Sequence, residues 1–274
     1  MIDDLVTRAL AEDLGAAGDI TTDAVIPPER QAAARIAARK PGVVAGLPVA
    51  MAVFHAVDPT LRLTPKVADG ARLVAGAVLL DISGAARSIL KAERVALNFL
   101  GQLSGVATAT AKIADAIAHT KTKVCCTRKT TPGLRVLEKY AVRCGGGLNH
   151  RMGLFDAILI KDNHIAAAGG VAAAIQSAKR AAPPGVKLEV EVDTLAQLDE
   201  ALTVGVDQVL LDNMAPAQLK LAVARVAGRA ITEASGSITA ANAAAIAESG
   251  VDLISVGWIT HSAPCLDLGL DFSA

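Results

Sequence analysis

The chain has 274 residues, 52% of them hydrophobic but only 2% aromatic, so its core is built from Ala, Val, Leu and Ile rather than from rings. Its 27 basic and 27 acidic residues cancel to a formal net charge of +0. That gives no long-range field for nucleic acid or an anionic membrane, and any basic site must be local.

No apolar run approaches membrane-spanning length. The opening MIDDLVTRALAEDLG carries acids where a signal peptide needs basic residues, so the chain reads as cytoplasmic. The cysteines Cys125, Cys126, Cys144 and Cys265 form no C-x-x-C pair and read as reduced, apolar side chains.

In chain order, Ile2, Leu5, Val6, Ala9 and Leu10 mark an amphipathic helix that stops near Gly15. A turn-rich stretch, GAAGDITTDAVIPP, follows. Strand-like runs AAARIAARK, LRLTPKV and AVLLDISG then surround a helix, LPVAMAVFHAV, with a turn at Asp69-Gly70. A helical pattern from about Ser88 to Thr120, broken around Gly101 and Gly105, leads out of this part. Residues 1–104 are therefore expected to form a small, sandwich-like α+β domain.

From 105 to 274 the pattern changes. The runs KVCCT, AILIK, KLEVEV, DQVLL, AITEA and DLISVG alternate with Ala-rich helices, which calls for parallel strands and right-handed crossovers. An open doubly wound sheet and a β/α barrel both satisfy that alternation. KLEVEVD separates them. Leu188, Val190 and Val192 share one face of that strand, and Glu189, Glu191 and Asp193 share the other. A sheet covered by helices on both faces is apolar throughout, whereas a barrel can be polar inside near its mouth. Six strands rather than eight predict an α/β fold with an irregular, incomplete β/α barrel, its last residues packing back on the first domain.

Barrel sites lie at the C-terminal strand ends, and polar residues cluster there. TRKTTPGLR places Arg128 and Lys129 after a strand, with Pro132-Gly133 opening a helix, which suits an anion. In RCGGGLNHR three glycines suggest close passage of the main chain beside an anion gripped by the flanking cations, His150 and Arg151 lying just beyond. Lys161 ends an apolar strand, where it either forms a Schiff base or holds a carboxylate; His164 reads as a capping residue.

Glu189, Glu191, Asp193 and Asp212 are hard oxygen ligands suited to Mg²⁺ carried in on a polyphosphate, and equally suited to ion pairs with Lys161 and Arg128. EASGS and SVGWITHS, with Ser235, Gly236 and Gly257, follow the final two strands, where barrels bind phosphate. The ligand therefore looks doubly anionic, one part phosphorylated and one part carrying carboxylates.

TRKTTPGLRVLEKYAVRCGGGLNHRMGL, LIKDNH, EVEVD, LLDN, EASGSIT and SVGWITHSAP…LDLGLD, with AEDLGAAGDITTDAVIP near the start, resemble the quinolinate phosphoribosyltransferase family over nearly the whole chain. The resemblance implies the decarboxylating reaction of quinolinate with phosphoribosyl pyrophosphate in NAD biosynthesis, with Mg²⁺, by a homodimer or a hexamer built from such dimers.

By position it implies Arg128, His150 and Arg151 on the quinolinate carboxylates, with Lys129 and Lys161 reaching substrate and pyrophosphate. Glu191 and Asp212 face the ribose and its Mg²⁺. Ser235, Gly236 and Gly257 hold the 5′-phosphate with His261 nearby, and Arg94 is lent across the dimer. Lys129, Lys161, Glu191 and Asp212 carry the catalysis. Three positions depart from the family pattern: Cys126 where Asp is expected, Ser237 for a Gly, and Trp258 for a small residue. A molybdenum-transport-associated homologue and an aldolase using Lys161 are the alternative readings.

Overall fold

The computed structural model describes residues 2–272. The chain opens with α1 (Ile2–Leu14), whose Val6 and Leu10 are buried. Inside the turn-rich stretch lies a short α2 (Ile20–Val25), started by the Asp19 carboxylate accepting from the Thr22 N–H at 2.9 Å.

There follow β1 (Gln31–Ala38), β2 (Gly42–Val43), α3 (Leu47–Val57), β3 (Arg62–Pro65), β4 (Arg72–Leu73), β5 (Val78–Ala85) and α4 (Ala86–Ala116). α4 is one continuous helix of 31 residues, not the broken one expected. Its glycines mark close approaches instead: the Leu266 N–H reaches the Gly101 carbonyl at 2.9 Å, and a Cβ on Gly105 would meet the Pro264 carbonyl oxygen at 2.3 Å. Small residues are kept there for contact, and the helix tolerates them at a cost of about 1 kcal/mol each.

The six expected β/α strands are all present: β6 (Lys123–Cys125), β7 (Ile158–Ile160), β8 (Leu188–Val192), β9 (Gln208–Asp212), β10 (Ile231–Ser235) and β11 (Leu253–Ser255). Between them run α5 (Arg135–Cys144), α6 (Asp162–Ala168), α7 (Val171–Ala181), α8 (Leu195–Val204), α9 (Pro216–Val226) and α10 (Ala243–Ala247), and α11 (Trp258–His261) follows the last. All pairings are parallel, in the order β6-β11-β10-β9-β8-β7. Leu148 bridges Cys125 in parallel beyond β6, and the Arg151 guanidinium donates to the Ala157 carbonyl just ahead of β7 at 3.1 Å. This is the irregular, incomplete β/α arrangement expected.

The two faces of β8 part as the alternation requires. Val190 and Val192 are fully buried among apolar side chains, with Val209, Leu211 and Ile254 of neighbouring strands likewise inaccessible. Glu189 and Glu191 point the other way, toward the polar interior described below.

The last strand, β12 (Leu268–Phe272), pairs antiparallel with β1, completing the four-stranded sheet β12-β1-β5-β3. Two compact units result: one holds the chain up to Ala109 with Arg143–Gly145 and the chain from Ala263; the other holds Thr110–Val142 and Gly146–Ser262.

Candidate active site

A cavity of about 390 Å³ opens at the C-terminal ends of the parallel strands. Each strand delivers side chains two apart, as alternation demands: Leu159 and then Lys161 past β7, Glu191 from β8, Leu210 and Asp212 from β9, Glu233 and Ser235 from β10. Arg128 and Lys129 enter after β6, and His150 with Arg151 after the glycines.

Of the expected site residues, eight line this cavity together: Arg128, Lys129, His150, Arg151, Lys161, Glu191, Asp212 and Ser235. Gly236 and Gly257 lie just behind it. A Cβ on Gly257 would come within 2.9 Å of the Lys129 side chain and 3.6 Å of the His261 ring. His261 is exposed and bonds the Ser262 hydroxyl at 2.6 Å. Arg94 belongs to the other unit, on exposed helical surface, with Glu93 at 3.9 Å. Asp193 leaves the acidic face: it is exposed, and its N–H donates to Gln197 at 2.8 Å. His164 caps α6, its Nδ1 accepting from the Lys161 N–H at 2.9 Å.

Within the glycine run, Gly146 has a φ of 85° and open space where a Cβ would stand, whereas Gly147 is crowded. A Cβ on Gly147 would strike Thr110 at 2.7 Å and Val142 at 2.8 Å. The close neighbour of Gly147 is packed protein.

The cation wall is the most distinctive part. Both Arg128 and Arg151 have a buried Nε with no hydrogen-bond partner. Burial lowers the Arg151 pKa, and the like charge of Arg128 lowers it further; Glu189 and Asp156 offset only part of this. Two cavity-lining guanidinium groups whose charges oppose each other therefore carry incompletely used donors.

Across the cavity, Lys161 Nζ donates to the Glu191 carboxylate at 2.6 Å. The pairing occupies the amine in an ion pair with a carboxylate rather than presenting it as a free nucleophile. Asp212 accepts from the Asn213 amide at 2.5 Å.

The floor was not anticipated. His150 Nε2 lies 3.0 Å from Glu189 and 3.7 Å from Glu233, and the Gln208 amide donates to both carboxylates, at 2.8 and 2.7 Å. Burial alone would lower the His150 pKa; the Glu189 hydrogen bond and the two carboxylate charges outweigh it and raise it. Opposing that rise, Nδ1 accepts from the Arg151 N–H at 2.8 Å, which a protonated Nδ1 cannot do. The geometry therefore describes a neutral ring with its proton on Nε2.

Burial, then the charge of Glu189, pushes the Glu233 carboxyl up to about 7. The three donor groups lie within 4.8 Å of one another; Gln208 bridges the two carboxylates and His150 pairs with Glu189, while Glu233 Oε1 is buried with no hydrogen-bond partner. The signal was present in EASGS: two-residue alternation puts Glu233 on the same face as Ser235. Its meeting with Glu189 depends on cross-strand register, with Glu191 and Glu233 both opposite Leu210.

Models of the quinolinate phosphoribosyl transferase N-terminal and C-terminal domains match residues 19–104 and 106–271. The chain belongs to the quinolinate phosphoribosyltransferase family. It is 48% identical over 273 residues to the nicotinate-nucleotide pyrophosphorylase [carboxylating] of Mycobacterium leprae (strain TN), covering 98% of this chain and 96% of that one. To the probable nicotinate-nucleotide pyrophosphorylase [carboxylating] of Bacillus subtilis (strain 168) it is 41% identical, covering 97% and 92%. The solved nicotinate-nucleotide pyrophosphorylase of Francisella tularensis superposes with a TM-score of 0.95 at 42% identity, over 99% of this chain and 96% of that chain. This quinolinate phosphoribosyltransferase-family chain thus carries the fold and both domains of its family throughout its length. No helix among the described residues is long and apolar enough to cross a membrane.

Proposed function

We propose that the chain is a decarboxylating quinolinate phosphoribosyltransferase, an enzyme of de novo NAD biosynthesis working in the cytoplasm. It would join quinolinate to phosphoribosyl pyrophosphate and yield nicotinate mononucleotide, pyrophosphate and CO₂. One observation carries the substrate reading: two adjacent guanidinium groups with unsatisfied, buried Nε atoms at the mouth of a β/α unit. An aromatic dicarboxylate supplies two anions at once and relieves both the repulsion and the missing hydrogen bonds.

The remaining roles follow from position. Arg128 and Arg151 grip the carboxylates above the His150 floor, turning the pyridine nitrogen toward C1 of the ribose. As that nitrogen attacks, the C1–pyrophosphate bond breaks and positive charge develops on the sugar, which Glu191 and Asp212 stabilise. Lys129 and Lys161 hold the departing pyrophosphate. Mg²⁺ arrives with phosphoribosyl pyrophosphate as part of the substrate, and the carboxylates of Glu191 and Asp212 suit its preference for hard oxygen ligands. Ser235, Gly236 and Gly257 receive the 5′-phosphate, with His261 beside them. Loss of CO₂ leaves an electron pair at C2, which the adjacent quaternary nitrogen stabilises until a proton from water replaces the carboxylate. No organic cofactor is required.

A homodimer with Arg94 lent to the partner's site fits the exposure of that side chain in the single chain. It also fits Leu154 and Phe155, which are 72% and 82% exposed beside Arg151. The decisive experiment supplies Mg²⁺, phosphoribosyl pyrophosphate and carboxyl-labelled quinolinate. Release of labelled CO₂ with formation of nicotinate mononucleotide is expected. Equal turnover of nicotinate, which has one carboxylate, would overturn the assignment.

A further inference from the structure

Trp258, the single tryptophan of the chain, opens α11 and donates its indole N–H to the Ile238 carbonyl at 2.8 Å. β10 and β11 run parallel with Ser235 beside Ser255. The turns that follow them therefore leave the sheet side by side, and the indole spans from one to the other.

The turn it grips is built to present N–H groups. Gly236 and Ser237 both have positive φ, 109° and 47°. Successive residues in such conformations form an anion-binding concavity. A Cβ on Gly236 would lie 2.1 Å from the Asn213 side-chain oxygen, so only glycine fits there. The Asn242 amide donates to the Ser237 carbonyl at 3.1 Å, and its oxygen accepts the Thr239 N–H at 2.7 Å. With Trp258 on the Ile238 carbonyl, both turn carbonyls are tied down. The N–H groups of Gly236, Ser237 and Ile238 have no protein acceptor among the described residues. Ser237 is not a glycine, so its left-handed backbone is held against its own steric preference. Such a turn keeps its shape through outside supports, and the indole is one of them.

We propose that Trp258 is a positioning residue for the phosphate of the substrate: by fixing the Ile238 peptide it keeps the 236–238 N–H groups converged before a sugar phosphate arrives. The inference rests on the reading that phosphoribosyl pyrophosphate places its 5′-phosphate at this turn. Because the chain has no other tryptophan, the strap also reports on its own surroundings.

The test uses the full-length protein and two measurements. In the unaltered protein, emission excited at 295 nm is followed while phosphoribosyl pyrophosphate is titrated, and a saturable change is expected. Trp258→Phe keeps an aromatic ring but loses the N–H donor. Its dissociation constant for phosphoribosyl pyrophosphate, by calorimetry, should rise about three- to tenfold, the span of one hydrogen bond. Its Michaelis constant for quinolinate should stay unchanged.

Emission indifferent to saturating phosphoribosyl pyrophosphate overturns the proposal. So does a Trp258→Phe protein that binds it as tightly as the original, or one in which both substrates weaken equally. If the unaltered protein gives no calorimetric signal with phosphoribosyl pyrophosphate, the functional reading itself fails, a result distinct from the others.

Discussion

The side-chain nitrogen of Lys139 lies 3.2 Å from the sulfur of Cys126 and hydrogen-bonds the carbonyls of His150 and Arg151 at 2.8 and 3.0 Å. Lys139 is wholly buried. It thus ties the segment carrying His150 and Arg151 to α5, yet its side-chain partner is a thiol, at the position where the resemblance to the family leads one to expect an aspartate. A buried cation gains from a formal counter-charge. Cys126→Asp is expected to raise stability by about 1–3 kcal/mol, a gain of several degrees in the thermal midpoint. Calorimetric melting of the two proteins checks this, and a lower midpoint for the aspartate would contradict it.

Arg151 is half-buried beside Arg128, so its loss should be felt by the dicarboxylate alone. Arg151→Ala is expected to cost about 2–5 kcal/mol of quinolinate binding. Steady-state kinetics with each substrate varied in turn will show it; an unaltered Michaelis constant for quinolinate would show that the guanidinium has another task.

The floor gives a pH signature with a definite sign. The Glu233 carboxyl titrates near 7 in the folded chain, against an ordinary value of 4.5. Between those values the folded form holds a proton that the unfolded form has lost, so this group's stabilisation is complete below pH 4.5 and falls as pH rises toward 7. The loss amounts to about 3 kcal/mol. Glu233→Gln mimics the protonated form at every pH. Denaturation curves from pH 5 to 8 should show the variant losing less stability than the original protein; parallel curves would exclude the shift.

The proposed lending of Arg94 across a dimer predicts complementation. Arg94→Ala and Lys161→Ala should each be nearly inactive. Mixed in equal amounts and allowed to exchange subunits, they should recover about a quarter of the original activity, because half of the dimers then contain one intact site. Recovery of none would place Arg94 outside the neighbouring site.

Much of this was legible from residue order. The period of two in KLEVEVD separated an interior acid face from an apolar one, and Glu191 faces the cavity while Val190 and Val192 are buried. Motifs at strand ends converge because parallel strands all deliver their C-termini to one side. What resisted reading depends on register or on contacts far apart in the chain. Nothing in Gln208 alone announces that it spans two carboxylates, and nothing in Lys139 shows that it is buried. The glycine triplet is a related case: the constraint on Gly147 comes from Thr110 and Val142, and a sequence shows that a backbone is crowded without showing by what.

A second cavity, of about 580 Å³, opens at the opposite end of the strands and borders His150, Arg151 and Glu233 from behind. The first cavity is therefore backed by a polar diaphragm of His150, Arg151 and Glu233. Water at the far mouth can polarise that diaphragm, so reversing the charge of Lys187, remote from the proposed reacting atoms, should still tune how firmly a diacid is held.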